Sequence, residues 1–380
     1  MLDRLARHLG RSVGCSAALL ACFLVSSCGK AHGLMTSSLP MPTAPGGTAG
    51  PPQAPAPGSG SASASTSVAP PGYLLSKVSP QVGLPDDAVP MDVDRKTGRI
   101  VLSSFSSGLF EMEWPPGQAA PTIRRSWKED VIGHVGEARY AAGGTIYVNV
   151  HGKGLAKVTE RGVSVIGTAD GLVNADLLDI LVRSTGEVWV VGVPNPFGAG
   201  GAGVQILVND RPSKIIPTEN VSVGTLRSSL DMPARRSVFA TTAAGVVELT
   251  SKGLIGHLSG PGRVNRLARQ PGGGTGAIGA VGSVVERWDG TRFVLMTEPF
   301  RMPPTSGSSW APEDLAIAPN GNWAIICGDD VLSVIDSAGK HLGQFDASSG
   351  VPASSRRVLL LADGRRILVG GEHGTALMSW

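Results

Sequence analysis

Nine polar residues sit just ahead of apolar runs or at their starts: Asp87, His134, Glu137, Asn174, Asp176, Arg227, Asn265, Glu313 and Arg356. They include both signs of charge, an imidazole and two amides, a mixture suited to a polar ligand, a metal or a peptide. Among them, His134, Glu137 and Glu313 supply the nitrogen and oxygen donors that a divalent metal takes. No motif fixes a reaction, because the chain has no His-Glu-x-x-His, Gly-x-Ser-x-Gly, P-loop or EF-hand pattern. His134, His151, His257, His341 and His373 are isolated from one another in sequence. Asp92 and Asp94 alternate at the boundary between a run and a turn, where carboxylates commonly cap the turn. Trp189, Trp288, Trp323 and Trp380 belong with the apolar runs and read as packing aromatics. Trp114, Trp127 and Trp310 remain as stacking platforms for a saccharide or peptidoglycan.

What would position these residues is a repeat. From Tyr73 to Trp380 the chain divides into units of three short apolar runs separated by polar, often Gly-bearing turns. Ala88–Asp94, Arg99–Ser103 and Gly108–Met112 form one unit; Leu177–Arg183, Glu187–Gly192 and Gly203–Leu207 form another. The third runs begin at Leu109, Leu155, Val204, Val246, Val284, Val331 and Ala376, spaced by 46, 49, 42, 38, 47 and 45 residues. Short runs without a helical period indicate antiparallel β-structure, and a period of about 40–50 residues is that of a four-stranded propeller blade. The predicted fold is therefore an all-β propeller of seven blades, with six or eight as alternatives because the fourth and fifth units are irregular. An unpaired run, Tyr73–Val78, precedes the first unit and is expected to complete the last blade. In such a fold the first strand of each blade lines a central channel. The loops leading into those strands gather the nine polar residues on one face.

Gly83-Leu84-Pro85-Asp86, followed by Asp94, Gly98 and Gly108-Leu109, resembles the propeller repeat of two-component-regulator sensor proteins. Ala169-Asp170-Gly171-Leu172-Val173-Asn174 with Gly186–Gly192 repeats it, and Ser349-Gly350-Val351-Pro352 with Asp363-Gly364 is a weaker echo. The resemblance covers about three units well and implies the fold. Signalling does not carry over, since no transmembrane, kinase or DNA-binding segment follows the repeats.

The amino-terminal segment bears on location. Arg4, Arg7 and Arg11 precede an apolar stretch from Ser12 to Val25, which is followed by Ser26, Ser27 and Cys28. This arrangement resembles the lipobox of bacterial lipoproteins. The resemblance implies a signal peptide over residues 1–27, a mature chain beginning at an acylated Cys28, and, with Gly29 next, the outer membrane. The domain would face the periplasm or the cell surface. Residues 28–72 are rich in Pro, Gly, Ser and Ala, and no Lys, Arg, Asp or Glu occurs from Ala31 to Ser76. Such a segment has too little apolar surface to offset chain entropy and serves as a disordered tether. The folded domain is expected over residues 73–380.

Beyond residue 27 the chain carries 30 Lys and Arg against 29 Asp and Glu, a balance that gives no field for nucleic acid. Only Cys327 lies in the body, which excludes an internal disulfide and a Cys-based zinc site there. The reading that follows is a monomeric, lipid-anchored, non-enzymatic module. It would bind an envelope protein or a small polar ligand, need no cofactor, and touch membrane through its anchor alone. The alternative is a propeller lyase or lactonase with a divalent metal in the channel held by His134, Glu137 and Glu313.

Overall fold

The computed structural model describes residues 74–78, 82–118, 120–192, 203–216, 228–242, 245–259, 264–271, 274–279, 285–296, 312–328 and 330–379. Cys28, the signal and tether segments, Arg227, Trp310 and Trp380 lie outside them. Among the described residues no helix is long and apolar enough to cross a membrane.

The strands group into seven four-stranded antiparallel sheets. Six are simple meanders. The first runs through Val89–Asp94, Arg99–Ser104, Gly108–Glu113 and Thr122–Trp127, and the second starts at Val135–Tyr140. The next four start at Leu177–Val182, Ser229–Met232, Val264–Arg269 and Pro312–Ile317. The seventh is composite: Ser355–Leu360, Arg366–Gly371 and Gly374–Ser379 are joined by Leu74–Lys77, which pairs antiparallel with Gly374–Ser379.

Hydrophobic pattern explains this layering. Several second strands are buried throughout, as Ile146–Val150, Val188–Gly192 and Trp323–Cys327 are. Their sheets are covered on both faces. The outermost strands, such as Thr122–Trp127, alternate between exposed and half-buried residues. Apolar clusters join neighbouring sheets: Val101 and Leu109 with Val148 and Ala156, for instance, or Val204 and Ile206 with Val238 and Val247. One such cluster unites the last sheet with the first, through Leu361, Leu368, Ile100 and Leu102. The first strands of successive sheets also lie side by side, and Ser355–Leu360 lies against Val89–Asp94.

The third strand begins with glycine in several sheets, and the geometry says why. Gly108 has φ +99° and Gly154 φ +109°, where the fourth strand of the same sheet turns back across them. A Cβ on Gly108 would run into the Trp127 carbonyl oxygen, and one on Gly154 into that of Ile166. Gly108→Ala combines a backbone collision with a disfavoured φ, and is expected to cost about 2 kcal/mol of stability. Thermal unfolding checks this; a loss below ~0.5 kcal/mol would mean that the outer strand yields freely.

Candidate functional site

The centre of the molecule is charged. In six sheets the register of the first strand slips near its start: between Pro90 and Asp92, Val135 and Ala138, Leu177 and Asp179, Val264 and Arg266, Pro312 and Asp314, and Ser355 and Arg357. Each slip is a β-bulge, which re-aims the side chains around it. Two residues past the start of each slip stands a charged side chain: Asp92, Glu137, Asp179, Arg266, Asp314 or Arg357. Asp92 accepts from the Tyr140 amide and acts electrostatically on Arg139. Arg139, one alternation beyond Glu137, joins them.

Glu137, Arg139, Asp179, Arg266, Asp314 and Arg357 meet one another, and the pairs Glu137–Arg266 and Glu137–Arg357 join sheets that are not neighbours. Glu137 lies 3.0 Å from Arg139 Nη2 and 3.3 Å from Arg266 Nη2, and is paired with Arg357 as well. Asp314 lies 3.4 Å from Arg266 and 4.0 Å from Arg357, while Asp179 lies 3.6 Å from Arg139 and accepts a hydrogen bond of 2.5 Å from the Ser229 hydroxyl. Glu137 is the hub, with three guanidiniums on one carboxylate. The side chains are largely buried, from 2 % exposed at Asp179 to 22 % at Arg139. Burial pushes the Asp179 and Asp314 carboxyls above their ordinary range, against the pull of Arg139 and Arg266 respectively. Three cations therefore face three anions, each engaged with the opposite sign. Arginine does not deprotonate in proteins, so this arrangement neutralises itself rather than supplying an acid–base pair.

The loops at the starts of the first strands carry a second set of groups. His134 stacks on Phe105 with ring centroids 4.6 Å apart and planes 8° from parallel, and its Nδ1 lies 3.1 Å from the Phe105 carbonyl oxygen. His151 meets the same Phe105 ring edge-on at 6.0 Å. Burial lowers the His151 pKa, the nearby His134 lowers it further, and Asp176 opposes both. Phe105 itself is 57 % exposed. Glu129, on the four-residue helical turn Glu129–Ile132, lies 3.5 Å from His134 Nε2.

The other residues singled out from sequence have mostly local partners. Asp87 accepts hydrogen bonds from the Ser104 hydroxyl at 2.6 Å and the Ser106 amide at 2.9 Å. Burial alone would raise its pKa, but these bonds outweigh burial and lower it. Asn174 accepts from the Asp176 amide, and Asp176 accepts from the Gly152 amide. Asn265 donates to the Pro312 carbonyl at 2.7 Å, and Arg356 pairs with Glu372 at 2.6 Å. Glu313 stands at the bulge beside Asp314, close enough to act electrostatically on Arg266. The eight that are described thus do not converge on one point: Glu137 alone joins the buried network, and Arg227 lies outside the described residues. Among the described residues no group of three or more His, Cys, Asp and Glu side chains could hold a metal ion, and His134, Glu137 and Glu313 do not form one.

Trp114 is also placed differently from the expected platform. It is 5 % exposed, donates from Nε1 to the Gln118 carbonyl at 3.0 Å, and lies under the Arg366 guanidinium at 5.4 Å. Its ring is covered because the turn after Glu113 folds back over it. Trp127 is half-buried, with Arg125 5.0 Å from its ring centre.

No family model and no curated protein matches the chain. Solved structures do. The extracellular domain of a putative hybrid two-component system from B. thetaiotaomicron aligns with a TM-score of 0.59 and 14 % identity, over 80 % of this chain and 40 % of that one. Virginiamycin B lyase from Staphylococcus aureus aligns with a TM-score of 0.58 and 10 % identity, over 81 % and 99 %. The WD40 β-propeller domain of Doa1 aligns with a TM-score of 0.59 and 12 % identity, over 81 % and 97 %. The chain folds as a β-propeller. It spans less than half the length of the two-component extracellular domain and nearly the whole of the other two chains. At these identities the likeness is one of fold.

Within the propeller, sequence reasoning found Glu137 but missed Arg139, Asp179, Arg266, Asp314 and Arg357. A signal existed: four of these stand at the same offset in their runs as Glu137. Removing the hub tests the network. Glu137→Gln leaves three guanidiniums facing two carboxylates and is expected to cost about 3–5 kcal/mol, the penalty for breaking a buried ion pair from one side. Denaturant unfolding measures it. A change below ~1 kcal/mol would show that Asp179 and Asp314 suffice to balance the arginines.

Proposed function

We propose that this chain is a lipid-anchored bacterial envelope protein whose propeller works as a non-enzymatic binding module for another envelope protein. The observation that carries the reading is the engagement of Glu137 by Arg139, Arg266 and Arg357. A carboxylate clasped by three guanidiniums is a poor metal ligand and a poor base. The channel chemistry that a propeller lyase or lactonase needs is thereby spent on the protein's own charges. The rim beside it carries a different kind of group: the exposed Phe105 ring, backed by His134 and flanked by polar loops. An aromatic anchor within a polar surround is the usual composition of an interface hot spot.

On this reading the seven sheets are seven blades of one ring, closed where Leu74–Lys77 completes the last blade. The alignment of Leu74 with Ser379 and Lys77 with Ala376 supports that closure. Lipidation of Cys28 and export to the outer membrane rest on the basic start, the apolar stretch and the small residues before the cysteine. The charge-free Pro/Gly/Ser segment after it would let the propeller reach ~35 Å from its anchor as a random coil.

One experiment tests anchor and face together. The full chain, expressed in a bacterial host fed an alkyne fatty acid, is expected to take the label and sediment with membranes, and Cys28→Ala to do neither. After in-cell crosslinking, Phe105→Asp is expected to reduce the captured envelope partner by roughly tenfold or more without altering lipidation. Metal-dependent turnover by the wild-type chain, with crosslinking indifferent to position 105, would overturn the binding-module reading.

A further inference from the structure

A cleft of about 460 Å³ opens between the first and last sheets. Three turns wall it: the one after Val89–Asp94, the one after Gly108–Glu113, and the one after Ser355–Leu360. All three lie at the far ends of strands that begin near Phe105 and His134, so the cleft opens on the opposite side of the propeller. Its volume is in the range of small-molecule sites, about 300–1,000 Å³.

The cleft is basic. Arg95, Lys96, Arg99 and Arg366 line it against two acids, Glu113 and Asp363. Both acids are already engaged. Asp363 accepts from Arg366 Nε at 2.5 Å and from the Arg365 and Arg366 amides. Glu113 is held by Arg124 at 2.6 Å and by Arg99 at 3.3 Å. Arg99 Nε is nonetheless a buried donor that makes no hydrogen bond, because its approach to Glu113 is poorly angled. Arg95 and Lys96 form no ion pair among the described residues.

Those two cations stand on a fixed support. Asp94 accepts from the Lys96 amide at 3.0 Å and from the Thr97 hydroxyl at 2.6 Å, and the Gly98 amide donates to the Asp94 carbonyl at 2.7 Å. Opposite them, Arg366 donates to the Trp114 carbonyl at 2.7 Å while lying over the Trp114 ring. The result is a preorganised pocket whose lining carries four positive charges against two negative ones, with the Asp94 carboxylate beneath the Arg95–Arg99 turn.

We propose that this cleft binds a phosphate group. Phosphate carries a charge of about −1.5 to −2 as a monoester and about −1 as a diester, and in both its oxygens accept guanidinium donors in a fork geometry. Two sources share that chemistry, a free phosphorylated small molecule and a phospholipid headgroup. The second has a topological argument. Leu74 pairs with Ser379, which pairs with Arg366, so the chain reaches the propeller on the cleft side.

Calorimetric titration of the full chain with inorganic phosphate, and separately with glycerophosphoglycerol, the deacylated headgroup of phosphatidylglycerol, decides the matter. Saturable binding of at least one probe is expected, weakened roughly tenfold or more in the double variant Arg95→Gln, Lys96→Gln. Both positions are exposed, so the variant should keep the wild-type melting temperature. Preference for inorganic phosphate supports a free phosphorylated ligand, preference for the diester supports a headgroup, and equal binding supports a site for any phosphate. No saturable binding of either probe up to ~10 mM, or binding unchanged in the double variant, would overturn the proposal.

Discussion

Charges buried in one space must cancel, and the centre of this propeller is arranged around that requirement. Inner strands from separate sheets direct Glu137, Arg139, Asp179, Arg266, Asp314 and Arg357 into contact, so the strands cannot approach one another unless the signs match. An apolar filling would be at least as stable by the usual reckoning, since desolvation consumes most of what ion pairing returns. What the ionic filling adds is position. Glu137 reaches Arg266 over a separation of 129 residues and Arg357 over a still longer one. Each contact therefore fixes the relative placement of distant sheets, in a way that interchangeable Leu and Val side chains would not.

Around that centre the packing is additive. Neighbouring sheets share apolar clusters built from their second and third strands, and the last shares one with the first. The seventh sheet draws strands from both ends of the described chain, so Gly374–Ser379 lies inside the sheet and Leu74–Lys77 takes the outer edge that the fourth strand occupies in the other sheets. The bulges near the starts of the inner strands complete the design. Without the extra residue, the charge at each bulge would turn back into the sheet–sheet packing, where it would have no partner.

The bulges also explain how far the sequence could be read. Alternating apolar runs and their spacing announce the second and third strands directly, because those strands are buried on both faces. The outer strands are fainter: Thr122–Trp127 is polar and alternates between exposed and half-buried residues, and Gly162–Ile166, though largely apolar, is mostly exposed. The channel shows the sharpest miss. Asn265, Glu313 and Arg356 were legible as polar residues where apolar runs begin, yet the network is made by Arg266, Asp314 and Arg357, one position further on. A strand alternates its faces with a period of two, so a slip of one residue exchanges inside and outside. Within a single run nothing marks that slip; only the recurrence of a charge at the same offset in several runs does. The polar turns that wall the basic cleft were equally silent, since a turn's charges acquire meaning only when another sheet's turn lies beside them.

The two faces of the propeller now differ in kind, and the difference bears on how a tethered module would work. One side offers an exposed aromatic ring stacked on a histidine, among loops whose carboxylates are committed to capping amides. The other offers unpaired cations on rigid turns, beside the strand by which the chain arrives. On the proposed anchor at Cys28, the cationic side is the one the tether reaches first. If residues 28–72 act as the proposed tether, they would set no orientation by themselves, because the chain entropy of such a composition favours every orientation nearly equally. A phosphate site on the arriving side would supply what the tether lacks: with the cleft occupied at a membrane surface, the Phe105 side points outward. If instead the cleft takes a free phosphorylated ligand, the same opposition of faces separates ligand from partner by the thickness of the propeller. Any coupling between them would then have to pass along the inner strands, and the charged network is the element those strands share.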